Sequence, residues 1–288
     1  MNERAIGFIG LGLLGSALAE RFLGAGLDVV GYDPAAGAGA ALEAMGGRAA
    51  GSAAELARGC RRVVICLPHS GVTAEVLEEI ETVLAEGSVV LDATTGEPAA
   101  MAGFGRRLAF AGISYLDTTI AGSSGQVRAG EAIVMAGGER DVFEANNDLL
   151  ALMAGRAFLV GPWGAAARMK LVVNLVLGLN RAALAEGLAF AAACGADERQ
   201  ALEVLKASPA YSRAMDVKGQ RMLDRNYEPE ARLRQHHKDV RLILSEGAQS
   251  GARLPLSTVH EALLTEAEQA GWGELDNSAI AEVFRRRE

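Results

Sequence analysis

Two hydrophobic patterns with different periods divide the chain. From residue 5 to residue 160, apolar runs of strand length alternate with helix-length amphipathic segments. A parallel sheet with crossover helices requires this alternation. From residue 165 onward the pattern is helical to the end of the chain. The sequence therefore predicts an α/β protein, with a doubly wound parallel sheet over residues 1–161 and an all-helical domain over residues 162–288.

The same pattern predicts the individual elements. Apolar runs that end at turn-forming residues predict strands at 5–9, 28–32, 62–67, 88–92, 113–117, 131–136 and 157–160. Helical periodicity predicts helices at 16–23, 52–58 with Ser52 as N-cap, 72–84, 141–153, 240–248, 256–270 and 277–286. Residues 165–194 contain no proline and predict one helix of about 45 Å at ~1.5 Å per residue. This long helix is expected to join the two domains.

The turn after the first strand carries the clearest chemical signal. It reads Gly10-Leu11-Gly12-Leu13-Leu14-Gly15 and matches the dinucleotide-binding pattern G-x-G-x-x-G. Gly10 allows the sharp turn, Gly12 lets a pyrophosphate approach the helix N-terminus, and Gly15 allows close packing of helix and strand. A chance match is the alternative in a chain with 35 glycines, but the preceding strand and the following helix argue against it. The first domain is therefore predicted to be a Rossmann domain that binds a dinucleotide.

An acidic residue after the second strand indicates which dinucleotide is preferred. Asp33 lies 18 residues beyond Gly15, where a carboxylate accepts hydrogen bonds from the adenosine ribose. The same carboxylate repels a 2′-phosphate, and no Arg or Lys lies between Asp33 and Arg48 to offset that repulsion. We expect NAD to be preferred over NADP.

Two further loops are expected to face the cofactor. Leu67-Pro68 and Thr94-Thr95 follow buried strands, and ligands of open parallel sheets bind beyond the carboxyl ends of the strands. Each loop taken alone is more typical of an ordinary strand-to-helix turn. The loop with Gly122 and Ser123 is rich in small residues and can present backbone amides and hydroxyls to an anion, although most such turns only reverse the chain.

Lys170 is the titratable residue that stands out in the long helix. Lys170 and Asn174 are four residues apart and share a face, among apolar neighbours that keep this face partly dry. Such a lysine can act in proton transfer, or it can simply extend into solvent. Further along, His236, His237 and Asp239 suggest a metal site, but adjacent residues on a helix point about 100° apart and no second ligand cluster is evident. We predict no metal site.

Composition restricts the partners and the compartment. The 28 basic and 36 acidic residues give a net charge of −8, and no basic tail is present, so neither nucleic acid nor an anionic membrane is an expected partner. The three cysteines lack C-x-x-C spacing and are expected to be reduced thiols. The charged residues 1–5 precede a strand that the fold needs and do not resemble a signal peptide. We expect a cytoplasmic protein.

Taken together, the motifs resemble those of the β-hydroxyacid dehydrogenase family, whose members include 3-hydroxyisobutyrate dehydrogenase and tartronate semialdehyde reductase. The resemblance covers almost the whole chain. The matching motifs, in order, are residues 7–15, Leu67-Pro68, Asp92-Ala93-Thr94-Thr95 with Pro98, the loop at 117–130, the segment from Gly164 through Lys170 to Asn174, and Lys238-Asp239.

The resemblance implies an activity and a set of roles. It implies an NAD-dependent oxidoreductase that interconverts a small anionic 3-hydroxy acid and its aldehyde or ketone, with Lys170 as general acid/base. It also implies that Asn174 contacts substrate, that Thr95 and Lys238 contact the cofactor, and that the helical domain forms a homodimer or homotetramer. The alternatives are an imine reductase on the same scaffold, in which an acid or tyrosine typically replaces the lysine, and a non-catalytic dinucleotide sensor.

Two departures from the family pattern affect the predicted substrate. The family's usual loop Asp-Ala-Pro-Val-Ser-Gly-Gly is replaced by residues 117–123, so that Ala121 occupies the customary serine position and Ser123 a glycine position. Gln235, His236 and His237 precede Lys238, where the family tends to be apolar. We expect Gly122, Ser123 and His237 to contact the substrate, which the added donors predict to be more polar or more anionic than usual.

Overall fold

The computed structural model describes residues 5–285, which form two internally packed units. The first unit ends at Lys170 and the second begins at Leu171, so the boundary lies within the long helix. Each unit has its own hydrophobic core.

The first unit is built on one sheet of eight strands. The strands are β1 (Ile6–Ile9), β2 (Val29–Tyr32), β3 (Arg48–Ala49), β4 (Arg62–Ile65), β5 (Val89–Asp92), β6 (Ser114–Ala121), β7 (Ile133–Gly137) and β8 (Arg156–Gly161). Their order is β3-β2-β1-β4-β5-β6-β7-β8. All neighbours are parallel except β6 and β7, which pair antiparallel. The chain order reverses between β1 and β4, and ligands of doubly wound sheets bind at such a switch point.

Helices cover both faces of this sheet, which confirms the doubly wound prediction. They are α1 (Leu13–Gly24), α2 (Ala38–Ala44), α3 (Ala53–Gly59), α4 (Ser70–Ile80), α5 (Pro98–Phe110), α6 (Ser124–Arg128), α7 (Arg140–Ala145), α8 (Asn147–Met153) and the start of α9 (Ala165–Ala193). Successive strand residues face opposite sides, so Phe8 packs edge-on against Phe22 of α1 while Ile9 belongs to the other core. Ser52 caps α3 through a hydrogen bond from the Glu55 amide, as predicted.

Three features of the first unit differ from the sequence prediction. β6 continues to Ala121, whereas the strand was predicted to end at Asp117, because residues 117–121 pair with β7. The predicted helix 141–153 is interrupted at Asn146. The Asn146 side-chain amide donates to the Val142 carbonyl and so competes with the backbone amide that would bind this carbonyl in a continuous helix. Strand β3 and helices α2, α5 and α6 were not predicted from the hydrophobic pattern.

The second unit is helical, as predicted. It contains the rest of α9, then α10 (Glu198–Ala207), a π-helical turn (Met215–Gly219), α11 (Gln220–Leu223), α12 (Leu233–Ser250), α13 (Pro255–Gln269), a 3₁₀ turn (Asn277–Ile280) and α14 (Ala281–Arg285). Helix α12 begins seven residues earlier than the predicted 240, so the polar cluster at 235–239 lies within it. Arg286, the last residue of the predicted helix 277–286, lies outside the described residues.

A buried carboxylate anchors the segment that leads into α12. Asp276 accepts hydrogen bonds from Lys218, from Ser278 and from the backbone amides of Glu230 and Ala231. Burial alone would raise its pKa, but the bonds from Ser278 and the Lys218 charge outweigh burial and lower the pKa to about 2. Asp276 is therefore ionised and fixes the chain ahead of α12.

Within the described residues, α9 is the one helix long and apolar enough to cross a membrane by length and composition. The core helix of a soluble protein meets the same criterion. Two polar residues of α9, Asn174 and Arg181, are buried.

Candidate active site

The glycine turn lies at the switch point of the sheet, where only glycine fits at two positions. Gly10 has a φ of 92°, and a Cβ there would collide with the Cys66 carbonyl oxygen of the neighbouring chain segment after β4. A Cβ on Gly15 would collide with the Gly10 carbonyl oxygen. Helix α1 therefore approaches β1 and β4 at backbone contact distance, as the motif predicts.

Gly12 is different, because its surroundings are open. It forms the N-cap of α1, and an added Cβ would meet nothing within 4 Å. Leu13 is exposed beside it. Within the described residues, the first turn of α1 has no acidic residue and no side-chain cap on its amides. An anion can approach these amides and the positive end of the helix dipole, so the residues present fit the pyrophosphate of a dinucleotide.

Asp33 ties the end of β2 to this turn. Its Oδ2 accepts a hydrogen bond from the Leu11 amide at 2.7 Å, and its Oδ1 accepts one from the Ala35 amide at 2.8 Å. A carboxylate has about four acceptor positions, so both oxygens retain capacity for the hydroxyls of a ribose. Asp33 is therefore both a structural support of the glycine turn and a candidate ribose ligand.

The loops after β4 and β5 are fixed to each other by buried side chains. The Thr94 hydroxyl accepts a hydrogen bond from the Leu67 amide at 3.1 Å. Asp92 accepts hydrogen bonds from the Thr94 amide at 2.9 Å and from the Tyr115 hydroxyl at 3.0 Å. Burial raises the pKa of Asp92 to about 6, although the bonds from Thr94 and Tyr115 oppose this. These contacts hold the predicted cofactor residues at 67, 68 and 95 at the same sheet edge as the glycine turn.

Lys170 lies beside the end of β6, at the start of the predicted substrate loop. Its Nζ donates a hydrogen bond to the Ile120 carbonyl at 2.5 Å, two residues before Gly122. Gly122 has a φ of 151° and is exposed. Ser123 caps α6, because its hydroxyl accepts a hydrogen bond from the Gln126 amide while the Gln126 side chain accepts one from the Ser123 amide. Thus the structure brings Lys170 to this loop, but the Ser123 hydroxyl already has a structural role.

Asp117 is the residue near Lys170 that sequence reasoning passed over. Its Oδ2 accepts hydrogen bonds from the Ala166 and Ala167 amides at the start of α9. Burial raises its pKa to about 6, against the lowering effect of the bonds from Ala167, Gly164 and Ala166. The Asp at position 117 was recognised as part of a motif, but nothing local in the sequence indicates that its partner lies some fifty residues later.

The second unit holds the other predicted site residues. The Asn174 amide donates to Asp239 Oδ2 at 2.9 Å, and Lys238 Nζ lies 3.4 Å from Asp239 Oδ1. Asp239 therefore joins two predicted residues, although the sequence suggested no such role for it. A carboxylate can only accept, so it orients the Asn174 amide nitrogen toward itself and leaves the amide oxygen as an acceptor.

His237 lies in the interior of the second unit, between carboxylates of α13. It is 1% exposed, with Nε2 3.0 Å from Glu261 Oε1 and Nδ1 3.2 Å from Glu268 Oε1. Nε2 forms a hydrogen bond with Glu261, whereas Nδ1 lies close to Glu268 without hydrogen-bond geometry. A substrate contact for His237 stays a prediction. Across residues 5–285, no group of three or more His, Cys, Asp or Glu side chains is arranged to hold a metal ion.

The contrast between Gly12 and its neighbours gives a direct test of the nucleotide site. Gly12→Ala should leave the free energy of unfolding nearly unchanged, because the added methyl meets nothing. It should raise the Kd for NAD about ten-fold or more, since a methyl inserted into a close contact costs ~1–3 kcal/mol. Isothermal titration calorimetry measures the Kd. Gly24→Ala, at the other end of α1 and equally open, is the matched control, and an unchanged Kd in Gly12→Ala would place the pyrophosphate elsewhere.

Two family models together match nearly the whole chain. The model of the NAD-binding domain of 6-phosphogluconate dehydrogenase matches residues 5–161, which is more than half of the chain. The model described as NAD-binding of NADP-dependent 3-hydroxyisobutyrate dehydrogenase matches residues 164–284.

Relatives with reported activities also align end to end. The 2-(hydroxymethyl)glutarate dehydrogenase of Eubacterium barkeri is 28% identical over 285 residues, 98% of this chain and 95% of that protein. The 2-hydroxy-3-oxopropionate reductase of Escherichia coli is 28% identical over 284 residues, 97% of this chain and 96% of that protein. The structure of 3-hydroxyisobutyrate dehydrogenase from Salmonella typhimurium is similar with a TM-score of 0.89 and 27% identity, over 98% of this chain and 100% of that one.

Imine reductases share the fold alone. The imine reductase from Pseudomonas sp. is 21% identical with a TM-score of 0.67, over 98% of this chain and 99% of that one. The family models and the end-to-end relatives instead agree with the ordered motifs and with the glycine turn at the switch point. The chain therefore belongs to the β-hydroxyacid dehydrogenase family of NAD(P)-dependent oxidoreductases.

Proposed function

We propose that this protein uses NAD to interconvert a small 3-hydroxy acid and its aldehyde or ketone, with Lys170 as the general acid/base. One observation carries the proposal: the unit with the dinucleotide turn also places an amine beside the Gly122 loop, held by the Ile120 carbonyl. The relatives support an anionic substrate, because 2-(hydroxymethyl)glutarate and 2-hydroxy-3-oxopropionate are both small carboxylates.

NAD, when bound, supplies the hydride acceptor for oxidation. The chain must then remove the hydroxyl proton of the substrate, and an amine that can lose its own proton is suited to this task. Only four of the 28 basic residues are lysines, Lys170, Lys206, Lys218 and Lys238. A guanidinium cannot exchange a proton at working pH, so a lysine at 170 meets a requirement that the abundant arginines do not.

The proposed substrate contacts differ in what they offer. Gly122 and Ser123 are exposed, and the backbone at Gly122 can approach an anionic group, whereas the Ser123 amide already donates to the Gln126 side chain. The Asn174 amide, oriented by Asp239, offers its oxygen to a hydroxyl.

A non-catalytic dinucleotide sensor would not need these groups. A panel of hydroxy acids assayed with NAD, with NADH formation followed by absorbance, distinguishes such a sensor from an enzyme. We also propose that the enzyme is cytoplasmic, as expected from the sequence.

The first prediction concerns the choice between NAD and NADP. The wild type should show a higher kcat/KM with NAD, because Asp33 accepts from ribose hydroxyls and repels a 2′-phosphate. Asp33→Asn removes the charge but keeps an oxygen that can accept from the Leu11 amide, so it should shift the preference toward NADP with little loss of stability. Asp33→Ala should shift it as well but also lower Tm, because the Leu11 and Ala35 amides lose their acceptor. Equal kcat/KM for the two cofactors in the wild type would contradict the proposed preference.

The second prediction concerns Lys170. Lys170→Ala should lower kcat roughly 10²-fold or more, with NAD binding and Tm nearly unchanged, because general acid–base catalysis contributes about that factor. Lys170→Arg should be almost as inactive, since it keeps the charge but cannot act as a base. The oxidation rate of the wild type should rise with pH, and this rise should be absent from the alanine variant. Lys206→Ala is the control, and a Lys170→Ala variant with most of its kcat would assign the proton to another group.

The third prediction concerns assembly. The second unit exposes large apolar side chains on α9 and α13, with Phe190 69%, Leu256 66% and Val259 61% exposed. We propose that these side chains pack between copies of the chain in a homodimer or homotetramer. In sedimentation velocity, Phe190→Glu should shift the wild-type oligomer to a smaller species. Phe110→Glu, at a residue 97% exposed on α5 of the first unit, should not. A monomeric wild type at micromolar concentration would disprove the proposal.

A further inference from the structure

One buried carboxylate holds the N-terminus of α9. Asp117 is fully buried at the middle of β6, and its Oδ2 accepts hydrogen bonds from the Ala166 amide at 3.0 Å and the Ala167 amide at 3.1 Å. Two residues along the strand, the Thr119 hydroxyl donates to the Ala166 carbonyl at 3.0 Å. The first turn of α9 is therefore bound to β6 through two backbone amides and one backbone carbonyl.

The surroundings leave this carboxylate little room to move. An added Cβ on Gly137, which pairs with Asp117 across β6 and β7, would collide with Asp117 Oδ1. Gly164, just before α9, has a φ of 86°, and a Cβ there would collide with the Pro98 carbonyl oxygen. Because the carboxylate and the chain entering the helix are both confined, the hydrogen bonds fix the height and rotation of α9 on the strand.

The same strand also holds the amine of the helix. Lys170 lies four residues after Ala166, one turn later on the same side of α9. Its Nζ donates to the Ile120 carbonyl, which is the next residue of β6 after Thr119. Three consecutive contacts therefore run along β6, from Asp117 to the helix amides, from Thr119 to the helix carbonyl, and from Ile120 to Lys170. An anionic group at the helix N-terminus is also favoured by the helix dipole.

We propose that Asp117 is a positioning residue for Lys170. By binding the first amides of α9, it sets the turn of the helix from which the amine reaches the Ile120 carbonyl. Asp117 does not touch substrate or cofactor in this role. The inference rests on the proposed proton transfer by Lys170, and its tests are chosen so that the two can fail separately.

The position of the amine can be measured without knowing the substrate. The chain has four lysines, so brief treatment with isotopically labelled acetic anhydride and peptide mass spectrometry gives the acetylation rate of Lys170 relative to Lys206 in the same molecule. In Asp117→Ala this ratio should rise about five-fold or more, which is the equivalent of losing a helix cap of ~1 kcal/mol. In Asp117→Asn the amide oxygen still accepts a helix amide, so the ratio should stay close to that of the wild type.

Ser52→Ala is the matched control for the loss of a helix cap. Ser52 caps α3, which carries no proposed site residue, so this variant should lose stability without changing the Lys170 ratio. If Asp117→Ala does not fold, Thr119→Val removes only the bond to the Ala166 carbonyl and should itself raise the ratio about two-fold or more. An unchanged ratio in folded Asp117→Ala, or in Thr119→Val when Asp117→Ala does not fold, would overturn the inference.

Kinetics with a substrate found in the hydroxy-acid panel give the second readout. Asp117→Ala should lower kcat about ten-fold or more, since a small misplacement of a catalytic group is costly, while the KM for NAD stays nearly constant. Asp117→Asn should restore most of kcat. If Lys170→Ala is active, the proposed function fails. If Lys170→Ala is inactive but Asp117→Ala keeps full kcat and an unchanged Lys170 ratio, the positioning role alone fails.

Discussion

The close approach of α1 to the sheet is the contact on which the first unit depends. Gly10 and Gly15 meet backbone oxygens where any side chain would collide, so the helix N-terminus reaches the sheet edge between β1 and β4. The strand order reverses at this same place. The loops after β1, β2, β4 and β5 therefore open at one edge, around an exposed helix N-terminus that favours an anion. A side chain at Gly10 or Gly15 would disrupt this packing, whereas one at Gly12 would enter the open space in front of the helix N-terminus, where the pyrophosphate is expected to lie.

Carboxylates near the strand ends hold the loops around this edge. Asp33 binds the Leu11 amide, Asp92 binds the Thr94 amide, and Asp117 binds the first amides of α9. Burial raises the pKa of both Asp92 and Asp117 to about 6, so that burial opposes the charged form of each carboxylate. In return, a charged acceptor binds backbone amides more strongly than a neutral one. Each carboxylate therefore fixes the position at which its loop or helix begins.

Local signals predicted most of the fold and the nucleotide turn. The glycine motif and the alternation of strands with helices depend on neighbouring residues, and both were read correctly. The end of β6 was not, because residues 118–121 were grouped with the small, loop-forming residues that follow them. Thr118, Thr119 and Ile120 are in fact β-branched and pair with β7. The helix break at Asn146 has a local cause in its bond to Val142, but an asparagine within a helical pattern does not specify that bond.

The candidate site shows a deeper limit of sequence reasoning. Lys170 and Asn174 could be selected because a polar group in an apolar helix is conspicuous, but the groups that orient them could not. The partner of Lys170 is the carbonyl of Ile120, and every residue has such a carbonyl. The partner of Asn174 is Asp239, 65 residues away, in a cluster that first suggested a metal site. His237, the conspicuous member of that cluster, instead lies between two glutamates and forms a hydrogen bond with Glu261, so its position among polar residues did not reveal its contacts. A sequence shows which side chains can carry the chemistry, but the proposed proton transfer also requires an amine held at a defined place. In the structure, Lys170 Nζ is held by the Ile120 carbonyl near the end of β6, on a helix whose first amides are bound to Asp117 of the same strand.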